Sequence, residues 1–218
     1  MTTGINGVIY DLDGTVIETK ELHEQGWIHA SKKYQAKITD EMLVNQKGMG
    51  GLEAAVMMLG KERASLAPEF LRAKQIYVRN NIGEIKIYDG FLEISRSLQK
   101  LGAKVWICTS ALEDFINLVY SRLPELSHFR EKTVYKEMYM KPKPDPESLL
   151  LTVEKMDLGK GQCCYIGDAY ADYGAAANAG MNFFYFCPED STPDSRIPSN
   201  VPMIRRHSDF LLTATVNH

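Results

Sequence analysis

Ile5-Asn6-Gly7-Val8-Ile9-Tyr10-Asp11-Leu12-Asp13-Gly14-Thr15 is the stretch from which the rest of this 218-residue chain can be read. The apolar run up to Tyr10 reads as a strand, and two carboxylates stand at its tip. Residues two apart on a strand share a face, so a strand continuing through Asp13 aims Asp11 and Asp13 the same way. Gly14 lets the backbone break sharply, and Thr15 can bond locally. Such a pair can divide covalent and acid/base roles, Asp11 taking an electrophile while its neighbour manages the leaving group's proton. A solvated turn is the bland alternative, because Asp and Gly are common in turns.

Outward from this stretch the chain is long enough for a sizeable core, and one large domain, or one domain with an insertion, is the expectation. Its 25 basic and 28 acidic residues leave a net charge of −3. That gives no basic field for nucleic acid and no polybasic patch for a membrane. No run approaches the ~20 apolar residues of a spanning helix, and the N-terminus lacks a basic region followed by an apolar one, so a cytoplasmic location is expected. Cys108, Cys163, Cys164 and Cys187 fall in or beside apolar runs without the paired spacing of a zinc site, which predicts reduced, packed thiols.

From about Lys20 to Gly83 the periodicity is helical, through Leu22, Trp27, Ala30 and Tyr34, then Ala54 to Leu59, then Phe70 to Val78. Thr39 before Asp40 and Glu41 resembles a helix start, and Lys47-Gly48-Met49-Gly50-Gly51 is a break whose backbone can approach a ligand or simply end a helix. From Tyr88 onward helices and strands alternate: Leu92 to Leu101 helical, Lys104 to Cys108 strand, Leu112 to Leu123 helical, Thr133 to Tyr135 a short strand. Pro146 to Met156 then reads as helix, Cys163 to Ile166 as strand, Tyr170 to Ala179 as a small-residue helix ended by Gly180, and Asn182 to Phe186 as strand. Alternation of this kind argues for a parallel sheet covered on both faces. Pro188 to Pro202 reads as a surface excursion.

Parallel sheets bind ligands beyond the carboxyl ends of their strands, so the residues after each strand are where chemistry is expected. They are Asp11 and Asp13, Thr109 and Ser110, Lys141 shortly after the short strand, and Asp168 with Asp172. Carboxylates, hydroxyls and an ammonium are the groups a phosphoryl-transfer site needs, and the acids suit a hard divalent cation, Mg²⁺ being the natural choice.

With these positions laid out, the chain resembles the haloacid dehalogenase-like hydrolase superfamily. It carries four motifs in order: Asp11-Leu12-Asp13-Gly14-Thr15, Thr109 after Val105-Trp106-Ile107-Cys108, Lys141 in Lys141-Pro142-Lys143-Pro144-Asp145-Pro146, and Gly167-Asp168-Ala169-Tyr170-Ala171-Asp172. The resemblance implies a Rossmann-like α/β core formed by residues 1–17 and 88–218, with residues 18–87 as an inserted helical cap. It implies Asp11 as nucleophile forming an aspartyl-phosphate and Asp13 as general acid and then base. Thr109 and Lys141 would hold the phosphoryl group, with Ser110 an alternative to Thr109 and Lys143 an alternative to Lys141. Asp11, Asp168, the carbonyl of Asp13 and, directly or through water, Asp172 would ligate Mg²⁺. Members that act on carbon–halogen or carbon–phosphorus bonds lack the second aspartate of the first motif. Its presence favours phosphate monoesters, whose alkoxide leaving group needs a proton.

His23, in Glu21-Leu22-His23-Glu24-Gln25-Gly26-Trp27, is placed like the cap-entry segment of the β-phosphoglucomutase-like branch and is a candidate contact for Asp13, as Gly48 is for substrate. The expected activity is hydrolysis of small phosphorylated metabolites. A phosphosugar mutase is the first alternative; the basic cap residue mutases use for a second phosphate is Gly51 here, leaving Arg63, Arg72 or Lys74 as substitutes. A non-catalytic binding protein on the same core is the second. Oligomeric state is not readable.

Overall fold

The computed structural model describes residues 5–211. Strand β1 (Gly7–Tyr10) is buried along its whole length and lies between β4 (Lys104–Cys108) and β6 (Cys163–Gly167), parallel to both. β5 (Thr133–Val134) continues the sheet beyond β4, and β7 (Asn182–Phe186) and β8 (Met203–Ile204) continue it beyond β6, in the order β5-β4-β1-β6-β7-β8. Every pairing in this sheet is parallel. A parallel sheet must be covered on both faces, and the period of two along β1 divides the core accordingly. Val8 and Tyr10 pack with α5 (Phe91–Lys100) and α6 (Glu113–Arg122), whereas Ile9 packs with α7 (Glu147–Lys155) and α8 (Tyr170–Ala179). The buried alanines of α8, among them Ala171, Ala175, Ala176 and Ala179, give that helix a flat contact surface, and Gly180 ends it in a left-handed turn at φ 67°.

Register sets the height of the site. Tyr10 pairs with Ile107 on one side and Ile166 on the other, so the residues after β1, β4 and β6 emerge level with one another. The chain leaves β1 to build both flanks of the sheet, which opens a crevice at the strand ends there.

The segment between β1 and β4 is mostly helical. α1 (Lys20–Tyr34), α2 (Asp40–Asn45), α3 (Gly51–Leu59) and α4 (Ala67–Asn80) gather a cluster of their own around Trp27, Ala55, Met58 and Phe70, with Trp27 and Phe70 stacked at 5.7 Å. Thr39 caps α2 by accepting a bond from the Met42 amide. A two-stranded antiparallel ribbon, β2 (Ile17–Glu18) with β3 (Lys86–Ile87), ties the two chain crossings together. At two residues a strand is too short to show a period, which is why the sequence does not announce it.

One sequence expectation is corrected here. The stretch from Pro188 to Pro202 is more than a surface excursion, because it buries Ile197 and delivers β8 to the sheet edge. Arg205 then anchors the loop by donating to the carbonyls of Cys187 and Pro188. Beyond it His207, fully buried and stacked on Phe186, donates from Nε2 to the carbonyl of Thr15 and so secures the turn after the first motif. All four cysteines are free and buried. No helix of the described residues is long and apolar enough to cross a membrane.

Candidate active site

Asp11 leaves β1 with its amide bonded to the carbonyl of Ile166 at 2.8 Å, so the central strands hold its backbone rigidly. Its Oδ1 accepts from Lys143 Nζ at 2.7 Å, and no hydrogen bond among the described residues reaches Oδ2. Lys143 is the centre of a buried cluster. Its ammonium also donates to Asp172 Oδ1 at 2.9 Å, the Cys108 carbonyl at 3.1 Å and the Tyr165 hydroxyl at 2.5 Å. Tyr165 donates in turn to Asp172 Oδ1 at 2.7 Å, while Asp172 Oδ2 accepts from the Ala169 amide at 3.1 Å.

This corrects the expectation for Lys141. Its side chain is 71% exposed and pairs with Asp145 at 3.7 Å, whereas that of Lys143 is 1% exposed. The loop contains Lys-Pro-x-Pro in two overlapping frames, starting at Lys141 and at Lys143. Lys143 is the lysine with four buried acceptors within reach, and a buried ammonium is tolerated only when paired this fully. The sequence signal that separates the frames is the onset of α7 at Glu147: counted back from it, Lys143-Pro144-Asp145-Pro146 abuts the helix, and Glu147 accepts from the amides of Met140 and Lys141 to fold the earlier lysine outward.

Electrostatics follow from this packing. Burial alone would push Lys143 toward neutrality, but the Asp11 and Asp172 charges outweigh it and hold the ammonium well above the usual lysine range. Burial pushes Asp11 up, Lys143 pulls the other way, and Asp172 and Asp168 add to the rise. Asp168 is raised to about 7 by burial and by the charge of Asp172, against the pull of Lys47.

Asp168 reaches Asp11 only because residue 14 is glycine. Gly14 sits at φ 82°, and a Cβ there would fall 2.4 Å from Asp168 Oδ2. Atoms of Asp11, Asp168 and Asp172 lie within 4.8 Å of one another, an all-oxygen set of the kind that holds a hard divalent cation. Like charges this close raise one another's pKa, and a cation between them relieves that repulsion, so the residues fit such an ion. Asp172 already accepts three hydrogen bonds, which leaves Asp11 and Asp168 the oxygens best placed to ligate.

Asp13 faces the same cleft from the turn after β1. Its Oδ1 accepts from Thr19 at 2.8 Å and lies 3.0 Å from His23 Nε2. His23 Nδ1 is in turn 2.7 Å from Lys74 Nζ, on α4. The row Asp13, His23, Lys74 therefore links the strand tip to the helical segment. Burial would raise Asp13, but the bonds from His23 and Thr19 and the nearby charge of Lys74 lower it overall. Burial, followed by Lys74, lowers His23, and burial brings Lys74 to about 8.

Thr109 follows β4 and is buried; its hydroxyl accepts from the Ala111 amide at 3.0 Å and keeps its own proton to offer to the cleft that it lines, with half-buried Ser110 beside it. Gly48, at φ 71°, brings its backbone against α8's start, where a Cβ would lie 2.7 Å from the Ala171 methyl. The cleft between sheet and helices has a volume of about 390 Å³ and includes Asp11, Asp13, His23, Gly48, Thr109, Ser110, Lys143, Asp168 and Asp172. The structure thus brings together the sequence-predicted residues other than Lys141. Tyr165, Thr19 and the Lys74 partner of His23 escaped sequence reasoning. Tyr165 shares with Cys163 the face of β6 that α7 and α8 cover, and since β6 is buried along its whole length no alternation in the sequence marks it. Of the substitute cations, Arg63 is bound to the carbonyls of Tyr34 and Gln35, and neither it nor Arg72 lines the cleft.

A model of the haloacid dehalogenase-like hydrolase family matches residues 8–186. Among curated proteins, pyrophosphatase PpaX of Bacillus velezensis is 25% identical over 180 residues, covering 81% of this chain and 80% of that one. PpaX of Bacillus cereus strain G9842 is 27% identical over 180 residues, with the same coverage. Among solved structures, a HAD hydrolase of family IA, variant 3, from Entamoeba histolytica superposes with a TM-score of 0.81 at 18% identity, covering 97% of this chain and 98% of that one. A predicted phosphoglycolate phosphatase from Haemophilus somnus superposes with a TM-score of 0.76 at 19% identity, covering 98% and 99%.

Proposed function

The chain belongs to the haloacid dehalogenase-like hydrolase family, and on that premise we propose that it is a Mg²⁺-dependent phosphatase of small phosphorylated metabolites working through an aspartyl-phosphate on Asp11. The observation that carries this reading is the buried Lys143–Asp11 pair at 2.7 Å, which ties up one carboxylate oxygen and leaves the other for attack. The likeness to pyrophosphatases supports phosphate release as the outcome.

In this reading Asp11 attacks phosphorus, a bond forms to its carboxylate oxygen, and the bond to the ester oxygen breaks. Asp13, held low by its bonds, relays a proton to the departing alkoxide from Lys74 by way of His23. Water then attacks the aspartyl-phosphate, Asp13 takes the proton, and phosphate leaves with Asp11 restored. Lys143 and the Thr109 hydroxyl hold the phosphoryl oxygens where charge develops. Asp11 and Asp168, with the Asp13 carbonyl, would hold Mg²⁺, which offsets the repulsion between a carboxylate and an anionic phosphate. Asp172 and Tyr165 orient Lys143. Residues 18–87 act as the cap that excludes water, and the His23–Asp13 contact couples that cap to the acid/base group.

The test is phosphate release from a panel of phosphorylated metabolites with Mg²⁺. Release that disappears with a chelator and in Asp11→Asn supports the reading; release unchanged in Asp11→Asn contradicts it.

A further inference from the structure

The wall of the cleft that faces Asp11 from the helical segment is apolar. Trp27, Met49, Leu71 and Val78 form it, with Leu112 and Phe115 across the mouth. The cations around this wall are nearly all committed elsewhere. Lys74 is bound to His23 and lies over the Trp27 ring at 5.3 Å. Arg79 pairs with Asp114 at 2.9 Å. Lys136 donates to the carbonyls of Tyr139 and Met140, Lys143 belongs to the acid cluster, and Lys47, which makes no ion pair among the described residues, lies toward Asp168 and Asp194, whose carboxylates feel its charge. Lys20 is exposed at the start of α1. Of the polar side chains here, Gln46 is held between Trp27 Nε1 and the Leu43 carbonyl. Gln75 makes no hydrogen bond among the described residues and lines the cleft.

We propose, resting on the phosphatase reading above, that the esters this site takes carry an uncharged, largely apolar alcohol, with one neutral hydrogen-bonding group opposite Gln75, rather than a second phosphate or a carboxylate. A carboxylate pressed against this wall would lose water without gaining an ion partner, whereas an apolar body gains by leaving water. The cleft's 390 Å³ suits a small molecule. This separates the chain from its likeness to pyrophosphatases and to a phosphoglycolate phosphatase, whose substrates carry a second anionic group.

Benzyl phosphate and phosphoglycolate are suitable probes, because both release a primary alcohol and differ mainly in what the wall meets. With Mg²⁺, kcat/KM for benzyl phosphate should exceed that for phosphoglycolate by ~10-fold or more, as expected when a charge is left unpaired. Met49→Lys and, separately, Leu71→Lys should narrow or invert that ratio, mostly through KM, in variants whose thermal melts match the parent's. A parent that prefers phosphoglycolate overturns the inference while leaving the hydrolase reading intact. If neither ester is hydrolysed, binding is read instead. Calorimetry with benzylphosphonate and phosphonoacetate then decides the wall by itself: tighter benzylphosphonate supports it, and tighter phosphonoacetate overturns it.

Discussion

The two sides of the cleft are built on opposite terms. On the sheet side, Asp11 after β1, Tyr165 on β6, Asp172 in the first turn of α8 and Lys143 in the loop before α7 satisfy one another in a cluster almost without solvent. On the helical side, Trp27, Met49, Leu71 and Val78 present a wall that owes its shape to packing around Phe70 and Met58 and offers few free charges. On the proposed function, the difference separates where reaction resides from where selection does. Chemistry needs charges fixed within a fraction of an ångström, which a parallel sheet supplies; selection needs only a surface of the right polarity.

On the proposed function, the comparison breaks most completely at Asp11. Asp11→Asn should lower kcat by ~10⁴-fold or more, because the carboxylamide keeps the shape of the site and loses attack. Steady-state phosphate release reads this directly.

Next in size is the contrast between the two lysines. Lys143→Met should lower kcat by ~10²–10³-fold, as for loss of a fixed donor at developing charge. It should also destabilise the fold by roughly 3–5 kcal/mol, because Asp11 and Asp172 are left buried and unpaired. Lys141→Met should change neither by more than about twofold in rate or ~0.5 kcal/mol in stability, its ion pair being exposed. Urea melts and kinetics on the two variants make the comparison, and equal losses would return the role to Lys141.

The row linking the two sides should give a smaller effect. Lys74→Met removes the partner that pins His23 from α4, and His23→Ala removes the bond to Asp13 itself. Each should lower kcat about tenfold, toward the lower end of acid/base contributions. With Lys74 at about 8 in the parent, its alkaline limb near that pH should be absent from Lys74→Met. A pH–rate profile checks both.

Confined to the sheet side, and read in stability rather than rate, is the contribution of His207. Burial lowers this histidine to about 4, and an unfolded histidine titrates near 6.5. Between those values the unfolded chain holds the extra proton, so stability should fall as pH drops from 6.5 toward 4, by roughly 3 kcal/mol at most. Denaturant melts across that range should show the slope in the parent and a flatter line in His207→Gln.

The same division governs what could be read in advance. The sheet was legible because its strands are continuous apolar runs broken by helices: Lys104 to Cys108 and Asn182 to Phe186 appear as read. Asp11 and Asp168 were legible because each directly follows a strand, and Asp13 and Asp172 because each lies within a few residues of one of them, where local sequence fixes position. The lysine was not, since two frames of the same proline pattern differ by two residues and only burial among Asp11, Cys108, Tyr165 and Asp172 tells them apart. Lys74 was visible as a cation but not as the partner of His23, because 51 residues separate them and helix packing brings them together. The edge strand Met203–Ile204 was hidden for a similar reason: two residues carry no period, and their pairing depends on the sheet being already there.

The central claim is tested most directly by stopping turnover in acid, reducing the trapped enzyme with borohydride and sequencing the peptide that spans β1. An acyl phosphate is reduced to an alcohol, so homoserine should replace aspartate at position 11 and nowhere else. An unmodified Asp11 under conditions of full turnover, or homoserine at another aspartate, would contradict the account.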